Sequence, residues 1–121
     1  MHELSVCQAL IRQVEQIARR ETASEVTRIR VQIGPLSGVV PELLEQAFTI
    51  ARAATLAERA ELITEHQAVR VKCLQCGAES EVAPNRLICA ECGDFRTQLI
   101  AGDALILASV ELKRKALSDT G

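Results

Sequence analysis

The chain has 121 residues, 48% of them hydrophobic, with two Phe as its only aromatics and a net charge of −2. That length suits one domain with room for a small metal-bound lobe. The charge balance gives no electrostatic reason to expect nucleic acid or an anionic membrane as partner. No apolar run reaches the ~18 residues that span a bilayer. The opening Met1-His2-Glu3-Leu4-Ser5 lacks the basic lead and apolar block of a secretory signal, so a cytoplasmic location is expected. In that reducing compartment, five cysteines point to metal binding before disulfides.

Residues 4–20 read as an amphipathic helix. Leu4, Cys7, Ile11, Val14 and Ala18 recur at steps of three and four, and Leu10 and Ile17 widen the stripe. Cys7, on that apolar face, reads as a core thiol. Residues 25–33 switch to period two, with Ile29, Val31 and Ile33 alternating with Arg28, Arg30 and Gln32, a strand with one wet face. Gly34-Pro35-Leu36-Ser37-Gly38 is a loop. Pro41 suits the first position of a second helix running to about Ala54, with Leu43, Leu44, Ala47, Phe48, Ile50 and Ala51 as its apolar face.

Residues 61–72 read as a further strand, with His66 on its surface. The cysteine segment 73–92 follows. Residues 97–100 and 104–112 are strand-like around Ala101-Gly102-Asp103, and 113–121 reads as a frayed tail. This order predicts an α+β fold: two helices on a small, about three-stranded sheet, with an inserted zinc-ribbon-like lobe. Residues 1–70 with 97–121 would form the main lobe and 71–96 the insert.

Cys73-Leu74-Gln75-Cys76-Gly77 and Cys89-Ala90-Glu91-Cys92-Gly93 make a C-x2-C-x12-C-x2-C pattern. A two-residue spacer lets each pair chelate one ion. The glycine that follows permits a turn whose N–H groups point at sulfur. Four soft thiolates suit a closed, structural zinc site, one per chain, better than a rubredoxin-type iron or two redox pairs. Between the pairs only Val82, Leu87 and Ile88 are sizeable apolar side chains. Burying them yields roughly 5–9 kcal/mol, against roughly 1–2 kcal/mol of backbone entropy per residue. A structural zinc supplies about 10–16 kcal/mol, so the segment needs its metal to fold.

His2 is one of two histidines, and its position carries its own chemistry. The Met1 amine and the His2 backbone nitrogen close a five-membered chelate ring, and the His2 nitrogen with Nδ1 closes a six-membered one. Three nitrogens in a plane suit Ni(II) or Cu(II). The first amides of a helix have no intrahelical acceptor, so one is available to a metal. A fourth donor would be the Glu3 nitrogen, the Glu3 carboxylate or water.

Taken together, Met1-His2-Glu3-Leu4-Ser5-Val6, Val31-Gln32-Ile33-Gly34-Pro35-Leu36-Ser37-Gly38-Val39, the twin CxxC-Gly motifs and Gly102-Asp103 resemble the HypA/HybF family of nickel-insertion proteins for [NiFe]-hydrogenase maturation. The resemblance spans nearly the whole chain. It implies a non-enzymatic metallochaperone with nickel as cargo at His2, with Glu3 contributing to the site or to partner contact. It also implies zinc on Cys73, Cys76, Cys89 and Cys92. The implied partners are a GTPase of the HypB type and the hydrogenase large subunit, with urease as a further client in some members, and the implied state is monomer or homodimer. In two places the chain departs from the family. Pro35 stands where members commonly carry Glu, and no histidine adjoins the zinc cysteines. The competing reading, a zinc-ribbon module for nucleic acid or protein, meets a segment 70–96 with balanced charges and Phe95 as its only aromatic. An enzyme is not expected, since neither a nucleophile triad nor a phosphate-cradling glycine loop is present.

Overall fold

A computed structural model of the chain describes residues 2–114, with His2 described through its backbone alone. The element order is α1 (His2–Arg20), β1 (Ala23–Ile33), α2 (Pro41–Ala51), β2 (Glu61–His66), β3 (Val69–Cys73), β4 (Glu79–Val82), β5 (Thr97–Ala101) and β6 (Leu105–Arg114). The strands form two three-stranded sheets, ordered β2-β1-β6 and β4-β3-β5. The fold is α+β, as the alternation of periods predicts, but with two sheets in place of one.

The apolar stripe of α1 is the buried one: Cys7, Leu10, Ile11, Val14 and Ala18 are all withdrawn from solvent. The helix starts earlier than the stripe predicts, at His2. Arg19 and Arg20 occupy its last turn, where positive charge suits the negative end of the helix dipole. In β1, Val26, Ile29, Val31 and Ile33 are buried.

Helix α2 has Pro at its first turn, as predicted, and stops at Ala51 instead of about Ala54. The Arg52 N–H still bonds back to the Phe48 carbonyl, but Ala54 lies at φ +60°, a left-handed conformation that no helix continues through. Leu44, Ala47 and Phe48 are buried. Leu43 and Ile50, expected on the same face, are 45% and 69% exposed.

Residues 61–72 form two strands, not one. The break covers Gln67 and Ala68, between β2 and β3, and the Gln67 N–H donates to the Ile33 carbonyl at 3.1 Å. β4 is a strand that the side-chain pattern does not predict. It pairs antiparallel with β3, Val71 opposite Ser80, while β5 lies antiparallel on the other side of β3, Lys72 opposite Gln98 and Cys73 opposite Thr97. β6 runs through Lys113 and Arg114, so these two residues extend a strand where a tail was expected. Residues 115–121, the rest of that expected tail, lie outside the described residues.

The chain divides into two compact units. The first is Met1–Val31, Val40–Thr64 and Leu107–Gly121, and the second is Gln32–Val39 and Glu65–Ile106. In the first, α1 packs against α2. The loop after α2 is tied to α1 because the Leu56 N–H donates to the Glu15 carboxylate at 3.0 Å.

In the second unit, the loop after β1 lies directly on the β5–β6 turn. The Gly34 N–H donates to the Ala104 carbonyl and the Leu36 N–H to the Gly102 carbonyl, both at 2.9 Å. A Cβ on Gly34 would fall 2.1 Å from the Gly102 oxygen. The approach therefore requires glycine there.

Candidate metal centre

The two cysteine pairs sit on matching turns. Cys73 ends β3, and Gly77 returns its N–H to the Cys73 carbonyl at 3.0 Å. At the second pair, the Gly93 N–H returns to the Cys89 carbonyl at 2.9 Å. Both glycines stand at φ +78°, the left-handed conformation that spares glycine a steric penalty. Each turn then closes again: the Cys73 N–H donates to the Ala78 carbonyl and the Cys89 N–H to the Asp94 carbonyl.

These turns aim backbone donors at sulfur. Cys73 Sγ accepts from the N–H groups of Gln75 at 3.3 Å and Cys76 at 3.4 Å. Cys89 Sγ accepts from Glu91 and Cys92, both at 3.4 Å. Cys73 Sγ lies 3.5 Å from Cys92 Sγ, and Cys76 Sγ lies 3.6 Å from Cys89 Sγ. All four sulfurs fall within 4.8 Å of one another. A tetrahedral ion with metal–sulfur bonds of about 2.3 Å holds its sulfurs roughly 3.8 Å apart. The quartet therefore fits one such ion. Cys73 and Cys89 are buried, whereas Cys76 and Cys92 face outward.

Electrostatics divide the thiols in the same way. The Cys76 N–H, and after it the Gln75 N–H, pull the Cys73 thiol down to about 7 against the opposing effect of burial. The Cys92 N–H, followed by the Glu91 N–H, lowers Cys89 likewise. At Cys76 the Ala78 N–H lowers the pKa, but the Cys89 thiol, burial and the Cys73 thiol outweigh it and the net shift is upward. At Cys92 the Asp94 N–H is outweighed by the Cys73 thiol and burial, and the thiol is pushed up to about 12. Each turn thus pairs one thiol whose pKa is lowered with one whose pKa is raised, and a metal that binds both displaces the proton of the second.

Supports that the spacing alone did not reveal surround the quartet. Ser80 is 8% exposed, and its hydroxyl accepts from the Ala90 N–H at 3.2 Å, steadying the second turn. Arg96 closes on Asp94 through its backbone N–H, Nε and Nη2. The signal for Ser80 is weak in sequence, because its partner comes from the opposite turn.

Among the described residues the four cysteines form the one group of this kind, and His66, exposed in β2, is not part of it. At the other predicted site, Met1 and the His2 side chain lie outside the described residues. Glu3 is 8% exposed, and its Oε2 accepts from the Val40 N–H at 3.3 Å.

A family model described as "Hydrogenase/urease nickel incorporation, metallochaperone, hypA" matches residues 1–112. The chain belongs to the HypA family. Hydrogenase maturation factor HypA of Aquifex aeolicus is 45% identical over 113 residues, 93% of this chain and 98% of the relative. Its counterpart in Nitrosospira multiformis is 48% identical over 112 residues, 93% and 97% of the two chains. Among solved structures, the solution structure of the nickel metallochaperone HypA from Helicobacter pylori superposes with a TM-score of 0.75 at 26% identity. That match covers 93% of this chain and 98% of that one. These HypA relatives are maturation factors and metallochaperones rather than catalysts, and this chain is likewise not an enzyme. None of the described helices is long and apolar enough to cross a membrane.

Proposed function

We propose that this HypA-family chain carries Ni(II) at the His2 end of α1 and delivers it for [NiFe]-hydrogenase maturation. The four cysteines hold one structural zinc. The observation that carries the nickel reading is that α1 starts at His2, which leaves the residue-2 amide without an intrahelical acceptor. With the imidazole and the Met1 amine, that nitrogen makes a planar three-nitrogen donor set suited to Ni(II). A site at the end of a helix releases its ion by ligand exchange without opening a core. The zinc reading is supported by four sulfurs within 4.8 Å, a closed set that keeps no position for substrate.

The corresponding partners are a GTPase of the HypB type and the hydrogenase large subunit, which receives the ion. Urease is a second client. The setting is the cytoplasm, and the chain acts as a monomer or homodimer. Nickel then falls to the compact unit that holds α1 and zinc to the one that holds Glu65–Ile106. Pro35 removes a carboxylate from the loop after β1 and leaves the nickel donors to the N-terminal residues.

Titration with Ni(II) tests the reading. The native chain should bind far more tightly than His2→Ala or a chain extended by one residue before Met1, with zinc content equal in all three. Equal nickel affinity in the three would refute the delivery role.

A further inference from the structure

Helix α2 lacks the residues that ordinarily close a helix start. Its N-cap is Val40, with no side-chain hydrogen bond, and Pro41 follows. Counting on, Leu43 occupies the third helical position, where a capping box places Glu or Gln to reach back to the N-cap N–H. Glu3 takes that place from another helix. Its Oε2 accepts the Val40 N–H at 3.3 Å from 37 positions away, bringing negative charge to the positive end of α2. The side chain is 8% exposed, and a carboxylate is withdrawn from water only when it is well partnered.

We infer that Glu3 is the positioning residue of the nickel site: its carboxylate ties the first turn of α1 to the start of α2 and does not ligate the ion. The inference rests on the nickel reading above. Glu3 follows His2 directly, so anchoring its side chain restrains the first turn of α1 in which the residue-2 amide sits. A helix end otherwise frays, and a chelate using a backbone nitrogen must then pay the cost of ordering it. With the turn already held, that cost falls on folding and not on nickel binding. With Oε2 bonded to the Val40 N–H, the fourth position falls to the Glu3 nitrogen or water.

Nickel titration of the full zinc-loaded chain, read by affinity and by the visible absorption of the bound ion, tests this. Glu3→Gln keeps an oxygen that accepts the Val40 N–H, so both its spectrum and its affinity should match the native chain. Glu3→Ala should lose affinity about 10–100-fold, the range for partners that orient ligands, with the spectrum of the bound ion unchanged. In Glu3→Ala/Leu43→Glu, the new carboxylate rebuilds a local capping box on α2. It should restore thermal stability without restoring nickel affinity.

An altered spectrum in Glu3→Gln would make the carboxylate a ligand and overturn the inference. Native affinity in Glu3→Ala, or recovered affinity in the double variant, would reduce Glu3 to a helix cap and overturn it as well. His2→Ala, run alongside, separates the two claims: undiminished nickel binding there defeats the nickel reading itself, whatever Glu3 does.

Discussion

The thiol of Cys7 donates to the carbonyl oxygen of Leu44 at 3.3 Å, joining α1 to α2 inside the first unit. Burial, and then the nearby Glu3 carboxylate, push this thiol up to about 11 from an ordinary 9.0. At pH 8 only about one thiol in a thousand is then ionised, against roughly one in ten for an unperturbed group. Cys7 should therefore resist iodoacetamide in the native, metal-loaded chain and react once urea unfolds it, as read by mass spectrometry. Folding favours the neutral thiol, so the stability it carries is complete below pH 9 and is lost as pH climbs towards 11.

Stripping the metal should expose four titratable thiols per chain and loosen the second unit, while the helical signal of the first unit persists. A thiol reagent followed together with far-ultraviolet circular dichroism would show this. Because the Cys76 and Cys92 thiols are shifted upward, metal uptake must expel their protons. Zinc affinity should thus rise with pH and weaken as pH falls. A pH-independent affinity would contradict the assignment of these two thiols as ligands.

Gly34→Ala should destabilise the chain by about 2–4 kcal/mol, because the added Cβ meets backbone at Gly102 and not a yielding side chain. Gly102→Ala meets both the Val69 Cα at 2.8 Å and its own φ of +109°, and should be as damaging. Gly38 has φ +79° with open space around it, so Gly38→Ala should cost only about 1–2 kcal/mol of backbone strain. Urea unfolding curves of the three variants would rank them, and a Gly34→Ala variant of native stability would refute the close approach.

Arg28 bridges the three strands of one sheet, reaching Glu61 and Glu111 at 3.0 Å each. Its guanidinium pKa is raised, first through the hydrogen bond to Glu61 and then through that to Glu111. All three side chains are between 41% and 60% exposed, so water and salt screen the pairs. Arg28→Ala should leave the unfolding midpoint nearly where it is, and 1 M salt should erase what difference remains.

The parts of this protein that depend on near neighbours were legible in the sequence. The period of α1, the alternation in β1, the proline that opens α2 and the CxxC-Gly turns all arise within a few residues, where spacing alone sets which side chains share a face. The cysteine quartet was readable because its two halves are each local and chemically distinctive. What required the tertiary structure is non-local. β4, Glu79–Val82, is short and polar, and it becomes a strand only because β3 supplies its hydrogen-bond partners. Between β2 and β3 the Gln67 N–H meets the Ile33 carbonyl from 34 positions earlier, and Leu43 and Ile50 are exposed because no described element covers that side of their helix. Glu3 shows the division most plainly. Its place beside His2 suggests a role at the metal, and only the folded chain shows its Oε2 accepting an amide 37 residues away. No periodicity encodes such a contact, since it exists only once two helices have packed.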